Sequence, residues 1–166
     1  MGAPQRKYSV GGLKLSEPLV QIRISPQGEN RLEVMIRRLA DREVNLIGLA
    51  LDVVEGRLSG VSWIRCEDQE TALEALKPLE DSFEIRPGVG LLTLFPIQAR
   101  SDVIRDVLYA WGEAGLPLFQ VSSSPTSLTL ATDYARLDEA VSVVLNVVSL
   151  PENHAPFRPE YRVKQL

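Results

Sequence analysis

The 166 residues are 45% hydrophobic and 24% charged, with a net charge of −4, and this composition excludes a fibrous or disordered chain. The excess of acidic side chains argues against nucleic acid or an anionic membrane as the main partner, because phosphate groups favour a basic surface. Cys66 is the only cysteine, and the lack of a signal peptide or an apolar run of ~18 residues, the length that spans a bilayer, predicts a cytoplasmic protein outside the membrane.

The first half of the chain predicts the element order β-α-β-β-α-β. Apolar and polar side chains alternate along the strands, and apolar side chains recur at helical spacing along the helices. Turn and stop signals, among them Glu55-Gly56 and Pro78, separate the elements. The predicted elements are, in order, a strand at 19–24, a helix that Asn30 caps, strands at 45–51 and 58–64, a short helix that Asp68 caps, and a strand at 83–85.

The second half repeats this order about 70 residues later, which indicates a duplicated domain rather than a short repeat. The loop residues match best, with Pro26-Gln27 corresponding to Pro96 and Gln98. The predicted elements are a strand at 89–95, a helix capped by Ser101 or Asp102 and ended by Gly115, strands at 118–122 and 128–131, a helix that reaches residue 148, and, after an irregular tail, a candidate last strand at 161–163.

Four segments of the second half resemble the second ACT domain of aspartate kinases. They are Gly112-Glu113-Ala114-Gly115-Leu116-Pro117, Ser122-Ser123-Ser124, Leu128-Thr129-Leu130 and Leu137-Asp138-Glu139-Ala140-Val141. The first half is similar to a more diverged ACT domain, so the resemblance covers residues 19–150. It implies an α+β fold of two ferredoxin-like βαββαβ modules in tandem, at residues 19–86 and 87–166, with antiparallel sheets and helices on one face.

The resemblance also implies a regulatory protein that senses a small effector, typically an amino acid, and that pairs with a second copy as a homodimer. In that family the effector lies near the loop between the first strand and the first helix. The kinase catalytic region is absent from the sequence. We therefore expect a free-standing sensor that acts through dimerisation or on a partner such as a metabolic enzyme or regulator.

The loop before the first helix is the stronger candidate site. Unpaired N–H groups at a helix N-terminus attract a carboxylate, and a nearby acceptor can hold an ammonium group. Gln27, Gly28, Glu29 and Asn30 supply a glycine that permits close approach, an acid and a capping amide. Asn45 matches an asparagine that often precedes the next strand in the family. The alternative is structural, with Asn30 as an N-cap only and Gly28 as a turn residue.

The corresponding loop of the second half is the weaker candidate. Gln98, Arg100, Ser101 and Asp102 occupy it, and it has no glycine where relatives often have one. Arg100 can grip a carboxylate in a bidentate fork. The serines at 122–124 form another polar cluster, but serines before Pro125 are more typical of a turn.

No residue set in the sequence is suited to catalysis. His154 is the only histidine, which excludes a histidine-based metal cluster or a Ser-His-Asp arrangement. We expect no metal and no cofactor. A ligand-free module for dimerisation or protein interaction is the alternative function. RNA-binding proteins share the element order, but the first strand here lacks the aromatic side chains that stack on bases.

Overall fold

The computed structural model describes residues 7–25 and 31–158. The chain divides into two compact units. We call Pro18–Val89 the first module, and Met1–Glu17 together with Gly90–Leu166 the second module. The N-terminal segment, whose place the sequence left open, therefore belongs with the second half of the chain.

The described residues follow the alternating pattern of strands and helices expected from the sequence. The strands are β1 (Tyr8–Ser9), β2 (Gly12–Leu15), β3 (Leu19–Ile24), β4 (Gly48–Val54), β5 (Arg57–Arg65), β6 (Phe83–Phe95), β7 (Gln120–Ser123), β8 (Leu128–Asp133) and β9 (Val148–Ser149). The helices are α1 (Arg31–Asp41), α2 (Gln69–Leu76), α3 (Ser101–Glu113) and α4 (Leu137–Val147), with 3-10 turns at Cys66–Asp68, Lys77–Ser82 and Tyr134–Arg136.

The first module is an antiparallel sheet in the order β4-β5-β3-β6. Alternate side chains of β3 are buried in one core with the apolar stripes of both helices, as the period-2 and helical patterns predict. The core includes Val20, Ile22, Ile24, Met35, Leu39, Ile64, Ala72, Ala75 and Leu76. Together with the second module, this confirms the predicted α+β fold of two ferredoxin-like modules.

Strand β6 differs from the prediction of two strands at 83–85 and 89–95. It is one strand of 13 residues, and Val89 ends the first module partway along it. The two predicted strands leave residues 86–88 between them. In the structure, Gly88 adopts φ +69° and the register against β3 shifts between Leu19 and Gln21. The irregularity is therefore absorbed as a bulge, which lets the strand continue.

The second module has the sheet order β2-β6-β8-β7. Gly12 to Leu15 of β2 pair antiparallel with Phe95 to Leu92 of β6. In the first module, β6 is the strand that flanks β3 at one side of the sheet. In the second module, β2 of the N-terminal segment flanks β6 in the corresponding position. A second, two-stranded sheet joins β1 and β9 in parallel.

One apolar core holds the second module together. It contains the inward-facing residues of β2, β6 and β8 and the apolar stripes of α3 and α4, among them Leu13, Leu92, Leu94, Val107, Trp111, Leu130, Leu137 and Val144. The tail after β9 is irregular as far as it is described, and the Leu15 N–H donates to the Phe157 carbonyl at 2.8 Å. The candidate strand at 161–163 lies outside the described residues.

Candidate functional site

The preferred loop of the first module lies outside the described residues, so Gln27, Gly28, Glu29 and Asn30 stay predictions. Its two flanks are described. Ser25 follows β3, and Arg31 opens α1. The loop therefore connects the C-terminal end of a buried strand to a helix N-terminus, as the sequence predicts.

Buried Ser82 ties the two flanks of this loop together. Its carbonyl accepts a hydrogen bond from the Ser25 N–H at 2.9 Å, and its hydroxyl accepts one from Nη1 of Arg31. Arg31 is half-buried and has further N–H donors. The guanidinium of Arg31 is thus held at the start of α1, by the residue that directly follows the predicted site in sequence. The sequence did not single out Arg31, because its contact with Ser82, 51 positions away in the chain, is not visible in a local pattern.

Asn45 lies at the other end of α1. The strand predicted at 45–51 begins only at Gly48, and Asn45 is exposed in the preceding loop. Helix α1 has 11 residues, which corresponds to about 16 Å at 1.5 Å per residue. The structure therefore does not bring Asn45 next to Arg31, and the two residues do not line one site.

The loop of the second module is tied down by backbone hydrogen bonds. The Ile97 N–H donates to the Thr126 carbonyl at 3.2 Å, and the Ala99 N–H donates to the Pro125 carbonyl at 2.7 Å. Gln98 and Ala99 both adopt left-handed conformations, with φ +52° and +54°, without the help of glycine. Gln98 is exposed, and within the described residues its side chain makes no hydrogen bond to another predicted site residue.

The predicted cap of α3 is wrong. Arg100 is the N-cap residue, with an extended backbone and no capping side chain, and Ser101 is the first helical residue. Asp102 lies two positions past the N-cap, although its Oδ1 accepts a hydrogen bond from the Val103 N–H at 3.0 Å. The expected serine or aspartate cap therefore does not form.

Arg100 does form the predicted bidentate fork, but it grips a carboxylate of its own chain. Nη2 donates to Oδ2 of Asp102 at 2.6 Å, and Nε donates to Oδ1 at 3.2 Å. These hydrogen bonds are the main cause that lowers the pKa of Asp102 below its usual range. The N-terminus of α3 thus already holds a negative charge, in the place expected for the carboxylate of a ligand.

Tyr8 of β1 covers the same end of α3. The guanidinium of Arg100 lies 4.8 Å from the centre of the Tyr8 ring, and the Tyr8 hydroxyl donates to Oδ2 of Asp106 at 2.6 Å. Arg105 donates to the other oxygen of Asp106 at 2.6 Å. The Arg105 and Tyr8 hydrogen bonds lower the pKa of Asp106, and the bond to Asp106 raises the pKa of Tyr8. The N-terminal segment therefore contacts Arg100 at the start of α3 and Asp106 within it.

The remaining polar candidates are structural. Ser124 Oγ accepts hydrogen bonds from the N–H groups of Thr126 at 3.2 Å and Ser127 at 3.0 Å, which makes it a turn former. His154 is exposed and stacks on Phe157 with ring centres 5.0 Å apart. Cys66 is also exposed, and its thiol donates to the Pro18 carbonyl at 3.0 Å.

The described residues hold no group of three or more His, Cys, Asp or Glu side chains placed to bind a metal ion. Within the same residues, every helix is too short or too polar to cross a membrane.

Comparison with solved structures identifies the fold. The chain is similar to the regulatory subunit of aspartate kinase from Thermus thermophilus in its ligand-free form, with TM-score 0.71 and 17% identity over 84% of this chain and 99% of that one. The Thermus flavus regulatory subunit gives TM-score 0.72 and 17% identity, over 83% and 97%. Escherichia coli aspartokinase III in complex with lysine and aspartate gives 0.61 and 14%, over 84% and 33%.

The sequence itself matches no family model, and no curated protein matches it in a sequence comparison. The likeness shows the fold, which is that of tandem ACT-type domains. More particularly, the chain has the fold of the regulatory subunits of aspartate kinase, and it is similar to them over nearly their whole length. The resemblance found in the sequence is thereby confirmed at the level of the fold.

Proposed function

We propose that this chain is a non-catalytic regulatory protein that binds one free amino acid in its first module. The contrast between the two loops is the observation that carries the proposal. In the second module, Asp102 supplies a carboxylate at the start of α3 and Arg100 is committed to it. In the first module, the half-buried Arg31 guanidinium at the start of α1 is bonded to the neutral hydroxyl of Ser82.

A cation at a helix N-terminus is suited to the carboxylate of an amino acid, because both the helix dipole and the guanidinium attract negative charge. The loop residues Gln27, Glu29 and Asn30 are the proposed partners of the ammonium group and side chain. The comparison supports this choice of ligand, since a protein of the same fold was solved with lysine and aspartate. The chain then acts as a homodimer or on a partner enzyme or regulator.

Thermal unfolding in the presence of each of the twenty amino acids tests the proposal. A ligand at about 100 times its dissociation constant stabilises the folded state by about 2.7 kcal/mol. We expect one or a few related amino acids to raise the unfolding temperature. The absence of any shift at millimolar concentrations contradicts the proposal and favours the alternative of a ligand-free interaction module.

A matched pair of variants locates the site. Arg31→Ala and Arg100→Ala remove the same side chain from the start of corresponding helices. We expect Arg31→Ala to weaken the ligand-induced shift at least tenfold in ligand concentration, which corresponds to about 1.4 kcal/mol, and Arg100→Ala to leave it unchanged. The reverse result places the ligand in the second module.

A further inference from the structure

The loop between β6 and α3, residues 96–100, has a strained backbone, and we call it the α3 loop. Gln98 and Ala99 adopt left-handed conformations with φ +52° and +54°. This conformation costs an L-residue free energy, because its Cβ atom lies too close to a backbone carbonyl oxygen. Such strain persists only where surrounding contacts hold it. Contacts from outside the α3 loop therefore keep it in this conformation.

The α3 loop has an anchored end and an exposed end. Ile97 is 1% exposed in the core of the second module, and its N–H donates to the Thr126 carbonyl. Residues 98–100 are exposed, and the Ala99 N–H donates to the Pro125 carbonyl at 2.7 Å. The strain therefore lies in the part of the loop that the core does not hold.

The N-terminal segment, residues 7–11, contacts both ends of the α3 loop. Gly11 packs against Pro96, since a Cβ atom on Gly11 would lie 2.7 Å from Cδ of that proline. The guanidinium of Arg100 lies 4.8 Å from the centre of the Tyr8 ring, within the range at which an aromatic face attracts a cation. The segment therefore spans the loop from its anchored end to its exposed end.

Tyr8 joins Arg100 to the body of α3, which the ion pair with Asp102 does not do. Arg100 and Asp102 are close neighbours at the start of the helix, so their pair moves with Arg100 and ties it to no other element. The Tyr8 hydroxyl donates to Oδ2 of Asp106, further along α3, at 2.6 Å. Among these contacts, the tyrosine is therefore the one that holds the exposed end of the α3 loop.

The N-terminal segment is itself held by few contacts. Strand β1 pairs with β9 over two residues only, and Nζ of Lys7 donates to the Leu145 carbonyl at 2.6 Å. Val10 is 4% exposed and lies in the core, whereas the residues before it are half-buried or exposed. Short pairings with little buried surface open at a lower free energy than a core does. Residues 7–9 can therefore detach while the module stays folded.

We propose that the N-terminal segment is a latch that keeps the strained α3 loop closed. With the latch in place, Arg100 is stacked on Tyr8 and the start of α3 is covered. When residues 7–9 lift away, residues 98–100 relax out of the left-handed conformation and the start of α3 becomes accessible. The segment is thereby an autoinhibitory element of the second module. The inference concerns this module alone and does not depend on ligand binding by the first.

Hydrogen exchange of the α3 loop, measured by NMR on the full chain without ligand, tests the latch. We expect Tyr8→Ala to speed exchange of the Ala99 amide about tenfold, which corresponds to about 1.4 kcal/mol. The Ala114 amide, which donates to the Ala110 carbonyl at the far end of α3, is the internal control and keeps its rate. An unchanged Ala99 amide, or equal acceleration at Ala114, overturns the proposal.

Two further variants show whether Tyr8 acts through Arg100. Arg100→Ala breaks the same contact from the loop side and is expected to speed exchange of the Ala99 amide as much as Tyr8→Ala does. The double variant is expected to exchange no faster than either single one, because both remove one contact. Tyr109→Ala, which removes a tyrosine 69% exposed on the same helix, is the matched control and has no effect. Additive effects, or acceleration by Tyr109→Ala, contradict the proposal.

Glycine at position 99 tests the contribution of strain. Glycine adopts a left-handed conformation without the cost that alanine has. In the Tyr8→Ala background, Ala99→Gly is therefore expected to close the loop again and to slow exchange of the Arg100 amide about fivefold. That amide donates to the Ile97 carbonyl at 3.1 Å in the closed loop. Exchange that stays as fast as in Tyr8→Ala alone contradicts a latch that works against backbone strain.

Discussion

The C-terminal end of α3 provides a sharp test of the structure, because its Glu-Ala-Gly sequence forms a Schellman motif. The Leu116 N–H donates to the Trp111 carbonyl at 3.3 Å, and the Gly115 N–H donates to the Gly112 carbonyl at 3.0 Å. Gly115 has φ +62°. Trp111 and Leu116, both buried, pack in the same core as the motif requires.

We predict that Gly115→Ala destabilises the second module by about 1 kcal/mol. A Cβ at this position meets no atom within 4 Å, so steric overlap contributes nothing. The left-handed backbone costs an L-residue about 1–2 kcal/mol, and the loss of unfolded-state entropy on replacing glycine offsets about 0.4–1 kcal/mol. Gly112→Ala is the matched control, since Gly112 lies inside α3 with equally open space around it.

The control is expected to stabilise the module by roughly 0.5–1 kcal/mol, because alanine is the better helix former. The two substitutions, three residues apart, therefore have opposite signs. Urea unfolding followed by Trp111 fluorescence, in a Trp63→Phe background, measures both. A Gly115→Ala variant as stable as the wild type, or stabilised like Gly112→Ala, refutes the Schellman geometry.

Three further predictions concern the second module. Leu92→Ala empties a fully buried position and is expected to cost about 2–5 kcal/mol in urea unfolding; a cost below 1 kcal/mol contradicts its place in the core. Tyr8→Phe removes the hydroxyl that donates to Asp106 and is expected to lower the midpoint of thermal unfolding and raise the pKa of Asp106 measured by NMR, whereas an unchanged pKa argues against that contact. Hydrogen bonds from arginine lower the pKa of Asp102 and Asp106 in the folded state. The stability that these carboxylates provide is therefore present above their unfolded pKa and is lost as pH falls below about 4. We expect the free energy of unfolding of a variant with both Asp102→Asn and Asp106→Asn to fall less steeply with decreasing pH than that of the wild type.

Local sequence patterns predicted most of the elements, since period 2 and period 3.6 reflect which face of a strand or helix is buried. Strand β6 was predicted as two pieces, because a local pattern does not show where pairing with another strand carries a strand across a break. Pairing with β3 carries β6 through residues 86–88, with a shift of register between Leu19 and Gln21. The same limit applies to the cap of α3, where Arg100 holds the N-cap position and Asp102 is drawn into an ion pair.

The candidate site depended on contacts between residues far apart in the chain, which periodicity does not report. Tyr8 and Asp106 are separated by 98 positions, and Arg31 and Ser82 by 51. The pairing of β2 with β6 likewise links the N-terminal segment to the second half of the chain. The absence of glycine made the second loop the weaker candidate in the sequence, and in the structure Arg100 of that loop is paired with Asp102.

Isothermal titration calorimetry with the amino acid that gives the largest thermal shift tests the central claim most directly. The difference between a loop flanked by Arg31 and one closed by Arg100 and Asp102 predicts one bound amino acid per chain. It also predicts that Arg31→Ala abolishes the heat of binding at the same concentrations and that Arg100→Ala retains it. No binding, or two equivalent sites per chain, contradicts the account.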